Sequence, residues 1–190
     1  MKKTCGASTM IKPNFKIIAE YNALMNQKIC DSISAISNDV LWQDKKAFFG
    51  SILSTLNHLM VGDLIWLNRF NRHPSYPEGF KALELLKDFP LPTKLTQILY
   101  NDKQSFNTNR QTLDQIIIRF IEESNESDYL KNLSYTNTNN DTFNKSFSML
   151  VQHFFNHQAH HRGQVTTLLT QMDIDIGETD LLILIPDLDH

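Results

Sequence analysis

Apolar side chains recur at the spacing of a helix face in four long stretches of the chain. The first runs from Phe15 to about Ile36, with Ile18, Leu24 or Met25, Ile29, Ile33 and Ile36 in step and no proline inside. Pro13 and Asn14 open it, and Ser37, Asn38 and Asp39 break it. The second runs from about Phe48 to Phe70, where Ile52, Leu53, Leu56, Leu59, Met60, Leu64, Trp66 and Leu67 cover much of the circumference. A helix apolar around so much of its surface is expected at the centre of a fold. Pro74 and Pro77 stop it. The third spans about Thr93 to Ser124, carried by Leu95, Ile98, Leu99, Phe106, Leu113, Ile116, Ile117, Phe120 and Ile121. The fourth runs from about Phe147 to Met172.

The connections refine this picture. Val40 to Lys46, containing Trp42, joins the first two helices. His73 to Pro92 joins the second and third, with Pro74, Pro77, Pro90, Pro92 and a short apolar piece from Phe80 to Phe89. Antiparallel neighbours in a bundle need only about 2–8 connecting residues. A link this long predicts a crossover, with helix three running parallel to helix two. Asn125 to Ser127 end helix three. Beyond them, the turn-rich Asn137-Thr138-Asn139-Asn140-Asp141 lies between Leu133-Ser134-Tyr135 and Thr142-Phe143-Asn144, which reads as a small β-hairpin. Gly177 and the tail Thr179 to His190 follow, with one short helical turn. The expected fold is all-α, a four-helix bundle with a small β-hairpin before the last helix.

Composition narrows the class. The 190 residues suit a single domain, expected over 10–190 with 1–9 as a flexible N-terminus. Hydrophobic residues at 41% and charged residues at 21% match a globular protein and exclude a disordered chain. A net charge of −3 offers no basic face for nucleic acid. No stretch approaches the roughly 20 consecutive apolar residues of a membrane span. Met1-Lys2-Lys3 is basic, but no apolar signal core follows, so a cytoplasmic location is expected. Cys5 and Cys30 form no Cys-x-x-Cys motif and read as two free thiols.

Histidine is the unusual component: of seven, four fall between His153 and His161. Histidines four apart on a helix point the same way one turn apart, so two imidazoles can reach one ion. His153 with His157, and His157 with His161, both have this spacing. The apolar face decides between them. At about 100° per residue from His153, Leu150, Phe154, Val165, Leu168 and Met172 lie at roughly 60–120°. His161 falls near ~80° and His157 near ~40° on the same wheel, so these two face the interior. His153 and His160 fall on the flank, at the mouth of a site or at the surface. Arg162, near ~180°, is expected at the rim or surface.

A buried histidine pair needs partners for its nitrogens, and a metal would satisfy one nitrogen of each ring. His58, among apolar neighbours in Thr55-Leu56-Asn57-His58-Leu59-Met60, is the third candidate ligand. Its other reading is a hydrogen-bonded core histidine. Three histidines leave coordination positions open for water or substrate, the mark of catalytic rather than structural metal. Zinc, nickel, iron and manganese all accept imidazole. Asp63 lies on the side of helix two shared by Ile52, Leu56 and Phe70. It either orients a ligating histidine or, the weightier reading, pairs with an arginine. Asn57 and Gln164 are orienting groups or simple helix polars.

These motifs together resemble the DinB family of bacterial four-helix-bundle metalloproteins. Tyr21-Asn22-Ala23-Leu24-Met25-Asn26 is similar to the family's Tyr-Asn-x-x-x-Asn helix start, without the tryptophan often found there. Phe49-Gly50-Ser51-Ile52, Leu56-Asn57-His58-Leu59 and Asp63-Leu64-Ile65-Trp66-Leu67 resemble its helix-two block, and Leu133-Ser134-Tyr135 its hairpin. Asn156-His157-Gln158-Ala159-His160-His161-Arg162-Gly163-Gln164 resembles its final-helix signature, and Thr179-Asp180-Leu181 its tail. The resemblance implies an up-down-down-up bundle and a metal triad at His58, His157 and His161. It also implies one divalent ion, nickel or zinc, and a homodimer, for which apolar surface of helix one or three would serve. The family's name refers to damage-inducible genes. Its better-understood members imply a thiol-dependent S-transferase acting on a small molecule, with a low-molecular-weight thiol as co-substrate; the same open site could instead activate water, as in a hydrolase. His153 or His160 would then shuttle protons at the mouth. The competing class is a stress-related metal-binding protein without turnover.

Overall fold

The computed structural model describes residues 11–137 and 140–187. The N-terminal segment 1–9, with Cys5, lies outside the described residues, as do Thr138 and Asn139 in the hairpin turn. The chain is mostly helical, with α1 at Ile11–Ser34, α2 at Asn38–Trp42, α3 at Ile52–Phe70, α4 at Lys103–Glu123 and α5 at Phe147–Thr170. Strands β1 (Asn132–Thr136) and β2 (Thr142–Ser146) pair antiparallel before α5, with Tyr135 opposite Phe143. The hairpin therefore stands where turn chemistry placed it. Short 3₁₀ helices occupy Lys81–Asp88 in the long link and Leu181–Leu184 in the tail.

Helix boundaries differ from the hydrophobic pattern where backbone polar groups decide them. The described part of α1 opens at Ile11, ahead of Phe15. The Glu126 carboxylate accepts from the N–H groups of Ile11 (2.7 Å) and Lys12 (3.0 Å). α3 begins at Ile52 rather than Phe48, because Gly50 has φ +79° and Ser51 caps the helix through Ser54 N–H at 3.1 Å. α4 begins at Lys103, ten residues later than the apolar run beginning at Thr93 suggests. Asp102 caps it by accepting from Ser105 N–H at 2.8 Å. Leu95 and Ile98 belong to the preceding loop and are exposed.

α1 packs on α4 and α5, and α3 packs on α5 and also meets α4. At one end the core is aromatic. Phe70 stacks on Phe120 at 5.7 Å and meets Phe147 and Phe154 edge-on, all four buried. Cys30 is buried too, and burial pushes its thiol up to about 12, so it is inert.

A polar network lies within this core. Arg110 of α4 donates to Asp63 of α3 (2.6 Å) and to Asp114 (2.8 Å). Asn26 of α1 also donates to Asp114, at 2.9 Å, and Gln158 of α5 donates to Asp63. Arg162 donates to Asn22 Oδ1 and, at 3.4 Å, to Asn26 and Gln158. Burial pushes the Asp63 carboxyl up to about 6, against the pull of Arg110. Asp63 thus takes the arginine-pairing role. Arg162 is not a rim residue: it is only 5% exposed. A wheel with one buried face misplaces it, because α5 is covered by α3 on one side and by α1 on the other.

Removing Arg110 strands two carboxylates in the interior. Arg110→Met is expected to cost about 3–5 kcal/mol of unfolding free energy. Adding Asp63→Asn and Asp114→Asn to it should recover part of that loss. Urea unfolding of the single and triple variants measures both.

Candidate metal centre

His58 and His157 face each other across the α3–α5 contact, with their Nε2 atoms 3.2 Å apart. His161, one turn along α5, brings its ring centroid to 4.6 Å from that of His58 and 4.5 Å from that of His157. One ring nitrogen from each of the three lies within 4.8 Å of the others. His58 and His161 are buried and His157 is half-buried.

Each ring is held by a different device. His58 Nδ1 lies 3.0 Å from the Leu95 carbonyl, which can only accept, so Nδ1 carries the proton and Nε2 keeps its lone pair. Leu95 sits in the loop that Asn57 clamps. Asn57, fully buried, accepts from Leu99 N–H (2.8 Å) and Tyr100 N–H (2.9 Å) and donates to the carbonyls of Tyr100 and Leu53. Asn57 thus orients His58 through the loop. Phe49 stacks on the His58 ring at 4.0 Å and meets His161 edge-on at 5.4 Å.

His161 Nδ1 donates to Gln164 Oε1 at 2.8 Å, leaving its Nε2 lone pair available. The amide of Gln164 has its NH₂ end 3.4 Å from His160 Nε2, which fits that orientation. His157 is admitted by a gap rather than a bond. A Cβ added to Gly62 would lie 2.9 Å from His157 Cε1, so only glycine leaves room for the ring. Glycine inside a helix costs about 1 kcal/mol relative to alanine, and at position 62 the cost makes space for an imidazole.

The donor set fits a divalent transition ion. Bonds of about 2.0–2.1 Å in a tetrahedral shell place two ligand nitrogens roughly 3.3 Å apart, against the 3.2 Å between His58 and His157. No Asp, Glu or Cys joins the three histidines within the same reach among the described residues. Exposed His153 packs against Trp66 at 5.2 Å, and exposed His160 lies 4.8 Å from His161, so both flank the triad without entering it. Asp63, turned to Arg110 and Gln158, does not orient a ligand directly. Sequence reasoning overlooked Phe49, Gly62 and the Leu95 carbonyl. Only Gly62 left a trace, as a glycine four residues after His58 inside a helix.

The chain matches the DinB family model over residues 10–184. It belongs to the DinB family. It is 25% identical over 161 residues to "Protein DinB" of Bacillus subtilis (strain 168), an alignment covering 85% of this chain and 87% of that protein. No solved structure matches the chain significantly. In this DinB-family chain, residues of the final-helix motif face two ways: His157 and His161 toward the triad, Gln158 and Arg162 toward the buried network.

Burial pushes all three imidazoles below their ordinary value, His157 down to about 3 with help from neighbouring His161 and His58. They are therefore neutral and ready to ligate at pH 7. Below about 6.5 the unfolded chain binds protons that the folded, metal-free chain refuses, so stability falls with pH through that window. His157→Ala should flatten the stability curve between pH 6.5 and the acid limit, as read by urea unfolding of metal-free protein. Gly62→Ala should displace the His157 ring and weaken metal retention by roughly tenfold or more, measured by competition with a coloured chelator.

Proposed function

We propose that His58, His157 and His161 hold one divalent transition metal ion, nickel or zinc before iron or manganese, in a metal-dependent enzyme of the thiol S-transferase or hydrolase type. The observation that carries this reading is three converging imidazoles with no protein carboxylate or thiolate beside them among the described residues. A neutral donor set leaves the ion's two positive charges uncancelled and positions open to a small molecule. When bound, the ion would favour thiolate over thiol, or hydroxide over water, at neutral pH. A thiol needs the smaller shift, from an ordinary value near 8.5, so a low-molecular-weight thiol is the better-matched co-substrate.

The protein's own residues supply position. The Leu95 carbonyl and Gln164 hold the rings of His58 and His161 in one tautomer, so no proton must leave Nε2 on binding. Phe49 covers one face of His58. His153 and His160, exposed beside the triad, would move protons to solvent. The same reading takes the four long helices as an up-down-down-up bundle in one domain over 10–190. It works as a cytoplasmic homodimer, and the link of over thirty residues between α3 and α4 serves as the crossover. That no carboxylate or thiolate joins the triad among the described residues favours a second reading, a stress-related metal-binding protein without turnover.

Purified protein should carry about one ion per chain, lost in His157→Ala. Its consumption of thiol with an electrophile, tested with bacillithiol, mycothiol, glutathione and coenzyme A, should vanish in the same variant. Bound metal with neither thiol nor ester turnover would favour the second reading, and no metal at all would defeat both.

A further inference from the structure

Arg162 is a buried cation whose charge no described carboxylate meets directly. Asp63 and Asp114 both pair with Arg110. Arg162 donates only through Nη1, to Asn22, Asn26 and Gln158. Its Nε and Nη2 donate to nothing among the described residues, although a guanidinium has five N–H donors. Neither nitrogen is sealed in protein. Arg162 lines a cavity of about 120 Å³ between α1, α5 and the C-terminal tail.

The other walls are mixed: Tyr21, Thr166 and Thr179 bring polar groups to them, and the Tyr21 ring centroid lies 5.8 Å from Arg162 Cζ. Met25 and Ile29 of α1 and Ile176 of the tail face it. The tail is tied down by Tyr21 Oη donating to the Thr179 carbonyl at 2.6 Å and Lys28 Nζ donating to that of Glu178 at 2.5 Å. Gly163 forms part of the rim, and a Cβ added there would meet nothing within 4 Å. Unlike Gly62, this glycine is not required by a packed neighbour. A glycine inside a helix lowers its stability relative to alanine, and what it provides at 163 is an open mouth. Arg162 lies next to His161 in the chain but about 100° around the helix from it, so the cavity is not the triad's.

We propose that this cavity binds a small aliphatic monocarboxylate, its carboxylate taken by Arg162 Nε and Nη2 and its alkyl end set among Met25, Ile29 and Ile176. The planar fork of Arg matches a carboxylate in a two-bond geometry that a lysine would not offer. A cavity of this size holds a few waters, which suits a ligand as small as propionate.

The test uses the full-length chain, stripped of metal by chelation, with propionate and its neutral isostere propionamide. Propionate should bind saturably by calorimetry and raise the thermal midpoint, and propionamide should do neither. Arg162→Gln should weaken propionate binding by roughly tenfold or more, the loss expected for a charged hydrogen bond, and Gly163→Leu should weaken it by filling the mouth. Gly163→Leu keeps the network intact and so stands if Arg162→Gln fails to fold. His157→Ala should bind propionate as the wild type does. No saturable binding, equal binding of propionamide, unweakened binding in Gly163→Leu, or loss of binding in His157→Ala (which would place the carboxylate at the triad) overturns the proposal.

Discussion

Two carboxylates, Asp63 and Asp114, lie in the interior where the long helices meet, and Arg110 must sit between them. A buried charge without a partner is costly, so helix positions that leave either one bare are excluded. The contacts of Gln158 with Asp63 and of Asn26 with Asp114 then set the height of α5 and α1 against that centre. This register builds the triad. His58 stands five residues before Asp63, and His157 directly precedes Gln158, so joining Asp63 to Gln158 draws the two imidazoles together. Replacing a buried ionic network by apolar packing of equal volume is often neutral or stabilising. The network's return is a single sliding position between α3 and α5.

The triad illustrates a second constraint. Imidazoles in a core need their nitrogens satisfied, yet a ligand must leave one of them free. The chain meets both demands by spending Nδ1 of His58 on a loop carbonyl and Nδ1 of His161 on the amide of Gln164. His157, whose ring fills the gap beside Gly62, is positioned by shape. A conservative change in any of these supports would move a ring without altering any of the three histidines.

Much of this was legible in the chain. Helix spacing marked the four long helices, and the turn residues around Asn137 marked the hairpin. The His157–His161 pair followed from i, i+4 geometry, because helical side chains four apart must share a face. Helix starts were less legible. Leu95 and Ile98 have the apolar character of a helix face, but Asn57 takes the backbone N–H groups of Leu99 and Tyr100, and the helix waits for the cap at Asp102. Such a bond, between residues over forty positions apart, leaves no periodic signal.

Arg162 and Asp63 mark the same limit from the other side. A helical wheel assigns one face to the core, yet α5 lies between α1 and α3, so Arg162 on its far side is as buried as the histidines. By itself the sequence determined which residues share a helix face, because backbone geometry is local and periodic. Only the tertiary structure decided which faces meet, which buried charge answers which, and that Gly62 makes room for His157. Those depend on distances between helices that no spacing along one chain contains.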